Sequence, residues 1–158
     1  MSAPADRTNA PDTIRVWDVV VRFTHWSVAA IICFDLVQDS GDKVHRTLGY
    51  IAAGLVLFRV LWGFIGSQPA RFRTWLPRPS AMLAMWALIL ALAVTGWISR
   101  LDAFWGEDLP VDIHRWLANG LLALVILHVA AAIVMSIKGR ENLVAAMITG
   151  RKPGDPHR

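Results

Sequence analysis

Four long apolar stretches constrain this chain more than any other feature: roughly Trp17 to Val37, Val44 to Gly66, Ser80 to Ile98 and Ile113 to Ile137. Each holds about 20 residues, enough to cross a hydrocarbon core of roughly 30 Å at about 1.5 Å per residue. A helix buried in a soluble domain is usually shorter and keeps a polar face. The 55% hydrophobic content of the 158 residues is high for a soluble domain, and the excess is concentrated in these stretches. Polar, turn-prone links separate them: Gln38 to Asp42, Gln68 to Pro79, and Trp105 to Pro110. The pattern predicts an all-α integral membrane four-helix bundle spanning residues 17–138. A mobile cytoplasmic arm (1–16) precedes it, and a cytoplasmic tail (139–158) follows, with Glu141 to Thr149 as a short interfacial helix. No internal repeat or low-complexity segment is present.

Lysine and arginine set the orientation. Arg7, Arg15, Arg71, Arg73, Arg78, Lys138, Arg140, Arg151, Lys152 and Arg158 fall on one side of the bundle, whereas the other two links hold only Lys43 and Arg100. The positive-inside rule then places both termini in the cytoplasm, at the inner membrane of a bacterium. The pI near 10.0 has a membrane explanation, a basic face against anionic lipid, and needs no nucleic acid. Trp17, Trp62 and Trp75 are placed at the inner boundary and Trp97, Trp105 and Trp116 at the outer one, as interfacial belts. Cys33 is the only cysteine, which rules out an intrachain disulfide and leaves it as a lipid- or core-facing thiol.

Four of the five histidines lie within or at the ends of the spans, where ionisable side chains are costly; His157, in the tail, is the exception. A single histidine near a helix end is more often an interfacial polar group than a ligand. The joint arrangement changes that weighting. His114 and His128 are 14 residues apart, so on a helix they share a face to within about 40° and are separated by roughly 21 Å along the axis. The first helix enters from the cytoplasm, bringing His25 to the inner depth. The second starts outside, leaving His45 at the outer rim. Depth therefore pairs His25 with His128 and His45 with His114.

Two cross-helix histidine pairs stacked along a bundle are what two hemes between helices require, with both axial positions of each iron filled. The sequence has no Cys-x-x-Cys-His, which excludes covalent c-type attachment and makes the expected cofactors two heme b. Arg59 follows His45 by 14 residues and so faces the same way at the inner depth, where a heme propionate would supply the anion its guanidinium needs. The competing reading is an arginine snorkelling to the inner surface. Arg46 and Arg115 flank the outer ligands and are candidates for the outer propionates, though interfacial placement accounts for them equally well. Gly49, Ala118 and Ala132 each lie one turn beyond a ligand, where a porphyrin needs close approach. Ordinary small-residue packing between membrane helices gives the same pattern.

The same residues resemble the bacterial cytochrome b561 family, particularly the branch that includes the b-type subunits of nickel-iron hydrogenases. The resemblance rests on Arg15-Val16-Trp17-Asp18, Arg22-Phe23-Thr24-His25-Trp26, His45-Arg46-Thr47-Leu48-Gly49-Tyr50, Phe58-Arg59-Val60-Leu61-Trp62-Gly63-Phe64 and Ala70-Arg71-Phe72. Asp112-Ile113-His114, Leu127-His128-Val129-Ala130-Ala131 and Met147 to Lys152 complete it. It covers nearly the whole chain except the third helix. It implies that His25, His45, His114 and His128 are axial ligands of two hemes, and that the chain exchanges electrons with a membrane quinone or quinol. A redox partner protein is implied too: a cytochrome c, a hydrogenase or a dehydrogenase subunit. Many relatives carry a longer second link with a Gly-His-Asn-Pro-Leu-Gly type segment, whereas here Trp75-Leu76-Pro77 leads almost directly into helix three.

Three functions compete at this point. The leading one is a diheme electron carrier between the quinone pool and a periplasmic or membrane redox partner. The second is a superoxide:quinone oxidoreductase, since some single-subunit relatives oxidise superoxide and share the His-x13-His spacing and Leu-Ala-Asn run of helix four. Steering superoxide needs an outer cationic funnel, and the outer loops hold six acids against two bases. The third is a histidine-lined metal-ion or proton path. Its only carboxylate within the spans is Asp35, expected to face the outer link and water.

Overall fold

The computed structural model describes residues 13–15, 17–38, 41–65, 80–104, 106–139 and 142–153. Residues 1–12, the whole second link with Arg71, Arg73, Trp75 and Arg78, Trp105, and His157 lie outside the described residues. Four helices carry the apolar stretches: α1 (Val19–Val37), α2 (Lys43–Ile65), α3 (Ser80–Ile98) and α4 (Leu109–Lys138). All four are long and apolar enough to cross a membrane.

Their starts follow from local chemistry. Asp18 caps α1, its Oδ1 accepting from the Val20 N–H at 2.8 Å, and Asp42 Oδ1 accepts from the His45 N–H at 2.9 Å at the head of α2. Each carboxylate satisfies an amide that the helix itself leaves over. α4 starts at Leu109, four residues before the apolar stretch read from sequence. Pro110 sits in its first turn, where the missing N–H costs nothing, so a segment expected as link is the helix's opening turn.

The tail is more ordered than an unstructured extension. After α4, the short helix α5 (Leu143–Thr149) is capped by Asn142, whose Oδ1 accepts from the Ala145 N–H at 2.8 Å. It ends at Gly150 with a φ of 77°, a left-handed conformation that suits glycine. Strands β1 (Thr13–Arg15) and β2 (Arg151–Pro153) then pair antiparallel, joining the end of the expected arm to the tail. Arg22 in α1 completes the docking: its Nε donates to Met147 O at 3.1 Å and its Nη2 donates to Ile148 O. A cation on the last carbonyls of a helix meets both their unsatisfied lone pairs and the negative end of the dipole.

Among the described residues, α1 packs on α2, α2 on α3 and α3 on α4. The centre is a small cluster of Ala52, Val56, Ile89 and Leu121, and Leu121 and Val56 are the largest side chains fully buried among the described residues. Leu121 lies seven residues from both His114 and His128, so on the helix it shares their face. The cluster thus sits between the two levels the histidines define. Outward-facing apolar residues, including Phe64, Trp116 and Ile137, are 71% to 77% exposed. Such a surface is soluble only in lipid or detergent.

Candidate functional site

Two pairs of histidine rings meet across the bundle. His25 of α1 and His128 of α4 have ring centroids 6.3 Å apart, with planes at 51°. His45 of α2 and His114 of α4 have centroids 6.1 Å apart, with planes at 73°. The first pair lies toward the face carrying β1 and β2, the second toward the opposite face, as the 14-residue spacing on α4 requires. Neither α1 and α4 nor α2 and α4 are among the closely packed helix pairs. The helices bearing the paired rings therefore stand apart while the rings span the gap.

A cavity of about 760 Å³ opens beside His45 and His114. Gly49 and Ala118, the small residues one turn beyond these histidines, line it. So do Arg46 and Arg115, as well as Arg100, which sequence reasoning left among the loop charges. Arg115 also contacts Asp112, Nη1 to Oδ1 at 3.4 Å. The exposure of this ion pair limits its worth to well under about 1 kcal/mol.

Asp35 corrects an expectation. Instead of turning toward water, its side chain is 11% exposed and its Oδ1 lies 3.5 Å from His45 Nδ1. It occupies the wall of the cavity, because α1 and α2 form a tight antiparallel pair that brings the end of one helix against the start of the next. Helix three, which carries no quoted motif, supplies two further residues. Thr95 Oγ1 lies 3.0 Å from His114 Nδ1, and a Cβ built on Gly96 would stand 3.4 Å from His114 Cε1. A signal for Thr95 exists in the sequence: it is the sole hydroxyl between Ala81 and Ile98.

At the other level, His25 is half-buried and its Nδ1 has no hydrogen-bond partner. Arg59 is half-buried, with its guanidinium carbon 5.9 Å from the centre of the Trp86 ring, a cation–π arrangement. Trp62, expected in the interfacial belt, stacks on Phe58 with centroids 5.9 Å apart, and its Nε1 is buried with no hydrogen-bond partner. Trp97 and Trp116 are exposed at the opposite face, as a belt requires.

No solved structure matches the chain. A curated relative from Bradyrhizobium diazoefficiens, named a probable Ni/Fe-hydrogenase B-type cytochrome subunit, is 22% identical over 224 aligned positions that cover 95% of this chain and 90% of the relative. The alignment is longer than the 158 residues here, so the relative carries insertions. The profile of the prokaryotic cytochrome b561 family matches residues 16–150, nearly the whole described bundle, and the chain therefore belongs to that family.

Proposed function

We propose that this multi-pass membrane cytochrome relays electrons between the quinone pool and a periplasmic or membrane-bound redox partner, through two hemes b held at opposite levels of the bundle. The observation that carries the reading is the pair of cross-helix histidine contacts, at 6.3 Å and 6.1 Å between ring centres. Two metal–imidazole bonds of about 2.0–2.1 Å each, extended by two ring radii, come close to these separations. The other chemistry also fits. The 760 Å³ cavity adjoins the outer pair, and the buried, unsatisfied His25 Nδ1 and Trp62 Nε1 lie on the inner side. Such orphaned polar atoms ask for a partner.

His25 and His128 would hold the inner heme, and His45 and His114 the outer one. When bound, heme would supply one-electron chemistry at an iron that these histidines hold. The chain's own residues fix the rings, exclude water with the Leu121 cluster, and offer Arg59 to inner propionates and Arg46 and Arg115 to outer ones. The excess of lysine and arginine in the terminal segments and second link supports cytoplasmic termini in a bacterial inner membrane. The relative named as a hydrogenase subunit supports a hydrogenase-type redox partner.

A dithionite-reduced minus oxidised spectrum with a pyridine hemochrome assay tests this directly. The expected result is a b-type α band at about two hemes per chain; a colourless protein purified from heme-replete cells overturns the reading. A second function, oxidation of superoxide at the outer face, is favoured by one specific feature. Arg46, Arg100 and Arg115 all line the cavity beside His45 and His114, a local concentration of positive charge that the acidic loops conceal in the sequence. Heme reduction by pulsed superoxide, slowing steeply as salt is raised, is the expected signature of that activity.

A further inference from the structure

The two rings of the outer pair are backed by different chemistry. The Thr95 hydroxyl donates to the Ala91 carbonyl at 2.9 Å, sharing its hydrogen with Leu92 O at 3.2 Å. A hydroxyl has one hydrogen to give. With that hydrogen on the helix carbonyls, the contact with His114 Nδ1 at 3.0 Å is one in which the ring N–H donates and Thr95 accepts. His114 is thereby held in the tautomer protonated at Nδ1, leaving the Nε2 lone pair bare. Gly96 backs the ring closely: a Cβ there would stand 3.6 Å from the same Nδ1, at van der Waals contact.

Behind His45 stands a carboxylate instead. Asp35 Oδ1 and His45 Nδ1 face each other at 3.5 Å, and both atoms are buried with no hydrogen-bond partner. The gap is only a few tenths of an ångström beyond N–H···O range, and closing it satisfies two buried groups at once. Gly49 lies beside this contact, a Cβ there standing 4.0 Å from Asp35 Oδ2, an ordinary contact distance. A ring N–H donated to a carboxylate makes imidazole a stronger electron donor than one donated to a neutral hydroxyl.

We propose that Asp35 and Thr95 are the positioning residues of the outer site, and that the Asp35 carboxylate makes His45 the more basic ligand and so lowers the reduction potential of the outer heme. This rests on the diheme reading above. A negative charge and a stronger donor both favour the oxidised iron, which carries one more positive charge. Thr95 fixes the geometry of His114 with little effect on charge.

The test is a redox titration of the heme-loaded full chain, followed at the α band and by low-temperature electron paramagnetic resonance of the ferric protein. Asp35→Asn is expected to keep two hemes and to shift the reduction equilibrium of one component by about tenfold, equivalent to about 59 mV upward for one electron. The other component stays put, and the g values of one low-spin signal change. Asp35→Glu, which keeps a carboxylate, restores both. Thr95→Val is expected to broaden the signal of that same heme with a smaller shift in potential.

If Asp35→Asn keeps both hemes with unchanged potentials and g values, the proposal is wrong while the diheme reading stands. Equal shifts of both components overturn it too. Should Asp35→Asn lose the outer heme, rescue of heme content and potential by Asp35→Glu supports the proposal, and failure of that rescue overturns it. A wild-type protein without heme removes the diheme reading and this inference together.

Discussion

The His25 and His128 rings face each other at 6.3 Å between centroids across two helices that do not pack closely. The closely packed helix pairs are α1–α2, α2–α3 and α3–α4, so at this level the gap between α1 and α4 is bridged by the two rings. Replacing either ring removes one side of the gap and leaves the pair 14 residues away on α4 untouched. His25→Ala and His128→Ala are each expected to lower heme content from about two to about one per chain, with the surviving potential the same in both variants. Two different surviving potentials, measured by spectroelectrochemistry, would argue against the pairing.

Much of this arrangement is legible in the sequence because it depends on length, depth and periodicity. The four spans follow from apolar run length, and the histidine partners follow from 14 residues being nearly four turns. Asp35 shows where such arithmetic stops. A carboxylate near a helix end can turn toward water or toward the neighbouring helix, and only the α1–α2 packing decides. Thr95 is hidden for another reason: a lone hydroxyl in an apolar span usually bonds back to its own helix, as Thr95 also does with Ala91. The β1–β2 pairing has too few residues to carry a strand pattern.

Gly96 tests how tightly α3 backs the outer pair. A methyl group at this position would touch the His114 ring at ordinary contact distance, 3.4 Å from Cε1, so Gly96→Ala is expected to retain both hemes. Branching at Cβ adds two methyls to the same narrow gap. Gly96→Val is therefore expected to displace the ring and lose about half of the bound heme, read by hemochrome assay against protein.

Leu121 bears on stability. It is 1% exposed and packs with Ala52, Val56 and Ile89 between the two histidine levels. Leu121→Ala is expected to destabilise the bundle by about 2–5 kcal/mol, toward the upper end where the flanking rings prevent collapse of the cavity. Thermal unfolding in detergent, followed by loss of the heme absorbance, is the measurement. An unchanged midpoint would mean that lipid or detergent fills the gap.

Arg59 distinguishes a propionate partner from simple snorkelling. If its guanidinium balances the inner propionates, Arg59→Met removes a positive charge near one heme and favours the oxidised state. The potential of the component retained in His45→Ala should then fall, a tenfold change in equilibrium being about 59 mV. Arg59→Lys should recover part of the shift, because the charge returns without the bidentate fork. A snorkelling arginine predicts no movement of either potential.

Gly150 closes α5 in a left-handed conformation, φ 77°, with Arg22 and the α1 entry packed against it. A Cβ there would stand 2.7 Å from Arg22 Nη1 and 3.2 Å from Trp17 O. Gly150→Ala combines that clash with a backbone cost of roughly 1–2 kcal/mol for a non-glycine residue in this region. Arg22 must then release the Met147 and Ile148 carbonyls, and the β1–β2 pairing beyond Gly150 loses its anchor. The variant is expected to become sensitive to protease at residues 142–153 while keeping both histidine pairs and its heme content, since the described tail is held through Arg22 and Trp17. Loss of heme along with the tail would show instead that docking of α5 holds α1, and with it His25, in register against α4.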